Sequence, residues 1–151
     1  MKHANIALFV PHIGCPHRCS FCDQNAISGA ECPPEPGDVT AACETALQSL
    51  GIRAAEAEIA FFGGSFTAID RGYMLRLLDA ARPYVRAGKV RGIRLSTRPD
   101  AVEPEVLSLL REYGVTTIEL GAQSMDDRVL ELNGRGHTAD QVRQAACRVR
   151  E

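Results

Sequence analysis

The sequence has no tryptophan and only eight aromatic residues, five Phe and three Tyr, among 151. That is too few to build the stacking platforms on which single-stranded nucleic acids are held. No long apolar run is present. Ile6–Val10 is shorter than a secretory h-region and far shorter than the roughly 20 residues that span a bilayer. Net charge is only −2, so no global field draws the chain to nucleic acid or to an anionic membrane. Low-complexity tracts and fixed-period repeats are also missing. The expectation is a single cytoplasmic domain with an ordinary core, reduced thiols and no membrane partner.

Charge is uneven locally. Residues 71–98 hold eight Arg or Lys against the single acid Asp79. Such a stretch reads either as a solvated Arg-rich helix with its flanks or as a basic face for an anionic substrate.

Six cysteines in a chain of this kind read as metal ligands or reactive groups before disulfides. Three of them, Cys15, Cys19 and Cys22, fall within eight residues in the pattern Cys-x3-Cys-x2-Cys. Three thiolates on one loop can share one metal centre and leave one coordination position open. A cuboidal iron–sulfur cluster with one iron unligated by protein fits that donor set. So does zinc, with His12, His17 or Cys32 as the fourth ligand. A ferredoxin-like carrier would need Cys32. His12 and His17 are expected to be hydrogen-bonding loop residues, and Cys32, Cys43 and Cys147 ordinary small residues.

The periodicity predicts βαβαβαβα. Ile6–Val10 is an unbroken apolar run, as in a strand buried on both faces, and the cysteine loop follows it. A helix starts near Asp38, with Val39, Ala42, Ala46, Leu47 and Leu50 on its apolar stripe, and Gly51 ends it. Ile59–Phe62 is the second strand, followed by Gly63-Gly-Ser-Phe-Thr67. Asp70 caps a second helix, with Met74, Leu77, Leu78, Ala81 and Val85 at helical spacing. Ile93–Thr97 is the third strand, and Arg98-Pro-Asp100 turns the chain. Pro104 opens a third helix, with Val106, Leu109, Leu110 and Tyr113 on one face. Val115–Gly121 is the fourth strand. Ser124 with Asp127 starts a short helix, and Thr138 with Gln141 forms a capping box for the last one.

Alternating strands and helices imply a parallel sheet, either wound open or as part of a (β/α) barrel. In both, chemistry gathers at the C-terminal ends of the strands. The cysteine loop, Gly63–Thr67, Arg98 and Gln123 all fall there. Glu119 lies within a parallel strand and needs a partner; Arg94 or Arg98 on the neighbouring strand would supply it. His137 is expected to order the loop before the last helix. Phe61 and Phe62 are core candidates.

The cysteine triad, with Phe21 just before Cys22, resembles the signature of the radical S-adenosylmethionine (SAM) enzymes. Gly63-Gly64-Ser65-Phe66-Thr67 resembles that family's SAM-binding glycine motif. Ser96-Thr-Arg-Pro-Asp100, Glu119-Leu-Gly-Ala-Gln-Ser124 and Arg135-Gly-His-Thr138 extend the likeness to the subgroup containing the radical SAM domain of the Elongator catalytic subunit. Oxygen-independent coproporphyrinogen oxidases are more distant relatives. The common glycine motif ends in an acid where this chain has Ser65-Phe66-Thr67, a form that the Elongator-like subgroup tolerates.

The resemblance implies a partial (β/α) barrel. It also implies that Cys15, Cys19 and Cys22 hold a [4Fe-4S] cluster whose fourth iron takes SAM. One-electron reduction by a donor such as flavodoxin or ferredoxin would then give a 5′-deoxyadenosyl radical. Phe21 would lie against the adenine. The backbone of Gly63, Gly64, Ser65 and Thr67 would approach the methionine amino group. Ser96 and Gln123 would contact the ribose or methionine part, and Arg135 the carboxylate. The family barrel has six βα units and four are legible here, so residues 1–151 are expected to be the N-terminal part of a radical SAM core domain. The implied substrate is tRNA, with a porphyrinogen-type small molecule as the alternative. Two further alternatives are a fragment that binds cluster and SAM without activity, and a zinc-stabilised binding module.

Overall fold

The first strand, β1 (Asn5–Val10), alternates exposed or half-buried residues with the buried Ile6, Leu8 and Val10. In a computed structural model of the chain, which describes residues 4–11, 19–20, 22 and 32–151, it is followed by β2 (Glu58–Gly63), β3 (Gly92–Thr97) and β4 (Val115–Leu120). All three neighbouring pairs are parallel, and their order in space is their order in sequence. A wound open sheet reverses direction at a switch point; this one never does. It is therefore an arc of a (β/α) barrel.

The helices pack on one face of that arc. Ile6, Leu8, Val10, Ile59, Phe61, Ile93 and Leu95 share one core cluster with helical residues including Val39, Cys43, Met74, Leu77, Leu78 and Leu110. Phe61 stacks on Phe66 with ring centroids 4.7 Å apart. Cys43 is fully buried there, and burial pushes its thiol pKa up to about 11, as expected of a packing cysteine.

Helix α1 (Pro36–Leu50) starts earlier than its sequence suggested. Glu35 is the N-cap and Asp38 its capping-box partner at the third position, because Pro36 has the backbone angle and missing donor that suit a first helical residue. Helix α2 (Arg71–Arg86) is capped by Asp70, whose carboxylate accepts from Tyr73 N at 2.8 Å. Helix α3 (Pro104–Glu112) buries Leu107 as well as Leu110, since Leu107 joins a second small cluster with Val102 and Ala145. Helix α4 (Asp127–Leu132) is capped by Asp126, not Ser124; Ser124 Oγ instead accepts from Asp126 N at 3.1 Å. Thr138 and Gln141 form the expected capping box of α5 (Ala139–Arg150). Among the described residues no helix is long and apolar enough to cross a membrane.

On the opposite face of the arc, a polar cluster joins β2, β3 and β4. Glu58 on β2 is fully buried, with no exposed surface at all. Its Oε2 accepts from Arg94 Nε on β3 at 2.9 Å, and its Oε1 accepts from Thr116 and Thr117 on β4, each at 2.7 Å. Adjacent strand residues normally face opposite ways. These two threonines reach one carboxylate because the register slips: Ile93 pairs with Val115 and Arg94 with Thr117, leaving Thr116 as a bulge. Gly92 makes room for it, since a Cβ there would overlap the Thr116 side chain.

Arg94 also donates to Glu119 Oε1 at 2.5 Å. The expected Arg94–Glu119 pair is therefore present, but the carboxylate that needs it most is Glu58. Arg98 lies past the end of β3, where the turn through Pro99 brings Asp100 within 2.5 Å of its guanidinium.

Burial alone would raise the Glu58 pKa. Hydrogen bonds from Thr116, Thr117 and Arg94, with the Arg94 charge, outweigh it and hold the carboxyl at about 2 against an ordinary 4.5. A depressed carboxyl contributes stability that is complete above its unfolded pKa and is lost as pH falls through its folded one. Urea unfolding should therefore show wild-type stability falling from about pH 4.5 to about pH 2, with Glu58→Gln flatter across that window. At pH 7 Glu58→Gln should be less stable by about 3 kcal/mol, because Thr116, Thr117 and Arg94 lose a buried charged acceptor and Arg94 keeps the Glu119 carboxylate. Equal pH slopes for the two proteins would remove Glu58 from this role.

Candidate functional site

The loops that leave β2, β3 and β4, the turn between α4 and α5, and the cysteine segment meet around one cavity of about 320 Å³. That lies at the lower end of ligand-sized pockets, roughly 300–1,000 Å³. Its wall includes Cys19 and Cys22, Gly63 at the end of β2 with Gly64 and Ser65 beyond it, Ser96 and Thr97 on β3 with Arg98 beyond it, Glu119 and Leu120 on β4 with Gly121 and Gln123 beyond it, and Arg135.

Each part is positioned by local chemistry. Gly63 closes β2 opposite Val10 with φ +115°, and a Cβ at Gly63 would collide with the Val10 carbonyl oxygen. Only glycine meets both demands. Beyond it, hydroxyls tie the β2 loop to the β3 loop. Arg98 N donates to Ser65 Oγ at 3.1 Å, Ser65 Oγ lies 3.0 Å from Thr97 Oγ1, Thr97 Oγ1 lies 2.5 Å from Thr67 Oγ1, and Thr67 Oγ1 donates to Ala101 O at 2.6 Å. An amide can only donate and a carbonyl can only accept, so the ends fix the direction of the whole chain. Ser65 gives its proton to Thr97, and Thr97 gives its proton to Thr67. Both loop hydroxyls are thereby committed to structure, and the backbone of this glycine-rich turn is what it offers a ligand.

Cys22 N donates to Cys19 O at 3.0 Å, a tight turn that puts both cysteines on the same wall. Cys19 is held from the other side. Arg135 Nη1 lies 3.1 Å from its Sγ, while Arg135 Nη2 donates to Gly121 O at 2.6 Å. Next to it, Ser20 Oγ donates to Asn133 Oδ1 at 2.6 Å. Ser96 Oγ donates to Glu119 Oε2 at 3.2 Å. The cavity thus has two guanidiniums, Arg98 and Arg135, one carboxylate, Glu119, and soft sulfur donors.

Of the residues singled out in the sequence, Cys19, Cys22, Gly63, Gly64, Ser65, Ser96, Gln123 and Arg135 meet here. Thr67 does not line the wall; its hydroxyl faces Thr97 and Ala101. Cys15, Phe21, His12 and His17 lie outside the described residues. Cys32 and Cys147 are exposed. Among the described residues no group of three or more His, Cys, Asp or Glu is placed to hold a metal. Sequence reasoning placed Arg98 at this edge, but it missed Thr97 and, as a cavity group, Glu119. Period two places Glu119 and Ser96 on one face, but it does not say that this face opens on a cavity. Part of the basic stretch is engaged elsewhere: Arg76, Arg82 and Lys89 lie over the rings of Tyr73, Tyr113 and Tyr84 at 5.6, 5.0 and 5.6 Å.

A sequence model of the Radical SAM superfamily matches residues 9–151. The chain is 26% identical over 176 aligned positions to a protein named tRNA uridine(34) acetyltransferase from Dehalococcoides mccartyi (strain CBDB1), an alignment covering 97% of this chain and 38% of that protein. Two solved structures share the fold. Elp3 of the archaeon Methanocaldococcus infernus, with an N-terminal deletion, superposes with a TM-score of 0.61 at 24% identity, covering 95% of this chain and 34% of that one. Coproporphyrinogen III oxidase (HemN) from Escherichia coli, a radical SAM enzyme, superposes with a TM-score of 0.60 at 18% identity, covering 99% of this chain and 34% of that one. The chain spans about a third of the length of each.

Two substitutions test the construction of this wall. Gly63→Ala should cost more than about 3 kcal/mol in thermal or urea unfolding, combining a steric clash with a disfavoured φ. Gly37→Ala in α1, where a Cβ meets nothing within 4 Å, should be neutral or mildly stabilising. Thr97→Val keeps shape but leaves the Ser65 hydroxyl without its acceptor and Thr67 without its donor. It should cost about 2 kcal/mol. A neutral Thr97→Val would mean that the hydroxyl chain contributes nothing.

Proposed function

Because the chain belongs to the radical SAM superfamily, we propose that this cavity is where a [4Fe-4S] cluster and SAM are held, and that the substrate is tRNA. The observation that carries the reading is the meeting, on one cavity at the C-terminal edge of the sheet, of Cys19 and Cys22 with the Gly63–Ser65 turn, Gln123 and Arg135.

The donor set fits the group. Thiolates are soft ligands suited to iron–sulfur clusters, and Cys19 and Cys22 stand on one wall with the third place assigned to Cys15. The chemistry supplied there, when cluster and SAM are bound, is one-electron cleavage of SAM to the radical that takes hydrogen from a substrate. The protein's own part is binding, orientation and shielding.

The Gly63–Ser65 turn offers unhindered backbone to an amino acid head group, and Arg135 offers a planar fork to a carboxylate. Gln123 and the Ser96–Glu119 pair offer hydrogen-bonding groups to hydroxyls or an ammonium. Arg135 favours an anionic part; the Arg98 guanidinium is already paired with Asp100, and Glu119 with Arg94. In this reading the four βα units are the N-terminal part of a radical SAM core domain. The electron comes from a small donor protein such as flavodoxin or ferredoxin. The tRNA assignment follows the likeness to a protein named for acetylation of a tRNA uridine.

Anaerobically reconstituted protein should bind about four irons per chain and turn brown. Cys15→Ala, Cys19→Ala and Cys22→Ala should each abolish the chromophore. With SAM and a strong reductant, 5′-deoxyadenosine should form, and digestion of added tRNA should reveal a changed nucleoside. Zinc without iron or sulfide after anaerobic preparation would replace this reading with a zinc-stabilised module. A loaded cluster that yields no 5′-deoxyadenosine would leave a binding fragment.

A further inference from the structure

The turn after β4 is held in a shape that its sequence resists. Gln123 is the one non-glycine residue, among those described, with φ in the left-handed region, at +66°. Ser124 N donates to Ala122 O at 2.9 Å, so Gln123 is the centre of a γ-turn with positive φ, the rarer and more strained form. A strained conformation persists only where its surroundings impose it.

The surroundings that impose it come from one short turn between α4 and α5. Gly134 and Gly136, with φ +62° and +70°, fold residues 134–137 tightly. From this turn Arg135 Nη2 donates to Gly121 O at 2.6 Å, and His137 Nε2 lies 3.2 Å from Ala122 O. Two consecutive carbonyls are thus each fixed by a side chain, and Gln123 is the next residue.

A carbonyl only accepts, so the proton of the His137 ring sits on Nε2. Nδ1 is buried and has no hydrogen-bond partner among the described residues. His137 is 6% exposed. Burial, with Arg135 and Arg98 close by, holds its pKa below the ordinary 6.5 against the opposing pull of the Ala122 carbonyl and Asp100. Neutral or charged, the ring keeps a proton on Nε2 for this bond.

We infer that His137 is a positioning residue of the candidate site: its Nε2–H on the Ala122 carbonyl holds the γ-turn that sets Gln123 on the cavity wall. The role in SAM binding rests on the function proposed above; the role in the turn does not. The sequence pointed His137 only toward ordering the loop that precedes α5.

Amide hydrogen exchange and SAM affinity, measured on the whole chain, decide it together. Glutamine carries its Nε2 donor as many bonds from Cα as histidine does. In His137→Ala the Ser124 amide should exchange about tenfold faster while core-strand amides hold, and His137→Gln should restore most of the protection. In equilibrium dialysis of reconstituted protein, His137→Ala should bind SAM about tenfold more weakly, with His137→Gln within about threefold of wild type. The double variant His137→Ala, Gln123→Ala should bind no worse than Gln123→Ala alone, since both changes remove the same contact. Unchanged Ser124 exchange, uniformly faster exchange across the core, or fully additive losses in affinity would each overturn the assignment. Wild-type protein that does not bind SAM would sink the SAM reading, and Ser124 exchange alone would then decide the part played by His137.

Discussion

A carboxylate buried in a parallel sheet has to find hydrogen bonds in its neighbours or leave. Glu58 finds them on two other strands, from Arg94 on β3 and from Thr116 and Thr117 on β4. Much of the inner face follows from that requirement. The bulge at Thr116 lets both threonines reach the same oxygen, and Gly92 leaves space for it. Arg94, anchored at Glu58 through Nε, orients Glu119 through Nη1, and Glu119 in turn accepts from Ser96 at the cavity wall. One buried charge thus organises three strands and ends in a carboxylate presented to the site. A half-satisfied network of this kind would be worse than an apolar face, which is why its members come as a set.

The cavity is built by cross-linking loops rather than by any single one. The hydroxyl chain from Arg98 N to Ala101 O joins the loops after β2 and β3. Arg135 joins the loop after β4 to Cys19, and Ser20 bonds Asn133 at the end of α4. Loops on strand ends are ordinarily the mobile part of a (β/α) fold. Here they are pinned to one another, and the strain at Gln123 is held by that pinning. Such pre-organisation lowers the ordering cost of binding a ligand with several polar groups.

The fold by itself is shared with structures as different as an archaeal Elp3 and a coproporphyrinogen oxidase. A fold of this kind does not choose a substrate; the groups on its rim do. The rim here combines the Arg135 guanidinium, the Glu119 carboxylate and soft thiols, with Arg98 paired to Asp100 behind it. The Arg-rich stretch contributes Arg98 to it, while several of its other cations lie on tyrosine rings.

Hydrophobic period and glycine punctuation were enough to place all four strands and the helices between them within a few residues, because those signals depend only on which face is buried. The cysteine spacing and the Gly63 turn were legible for a similar reason: each is a local constraint carried by adjacent residues. Helix starts at Glu35 and Asp126 were not, since several neighbouring residues could cap and only backbone geometry chooses among them. Nor was Glu58 legible, at the first position of its strand, where nothing nearby in sequence shows that Arg94, Thr116 and Thr117 will surround it. The sequence by itself determined the alternation of elements and the residue types brought to the strand ends. Only the tertiary structure decided which acid is buried, that the Ser65 and Thr67 hydroxyls are spent on the β3 loop, and that His137 reaches the turn before α4. Each of these is a contact between residues far apart in the chain, and strand register and loop geometry, not local pattern, bring such residues together.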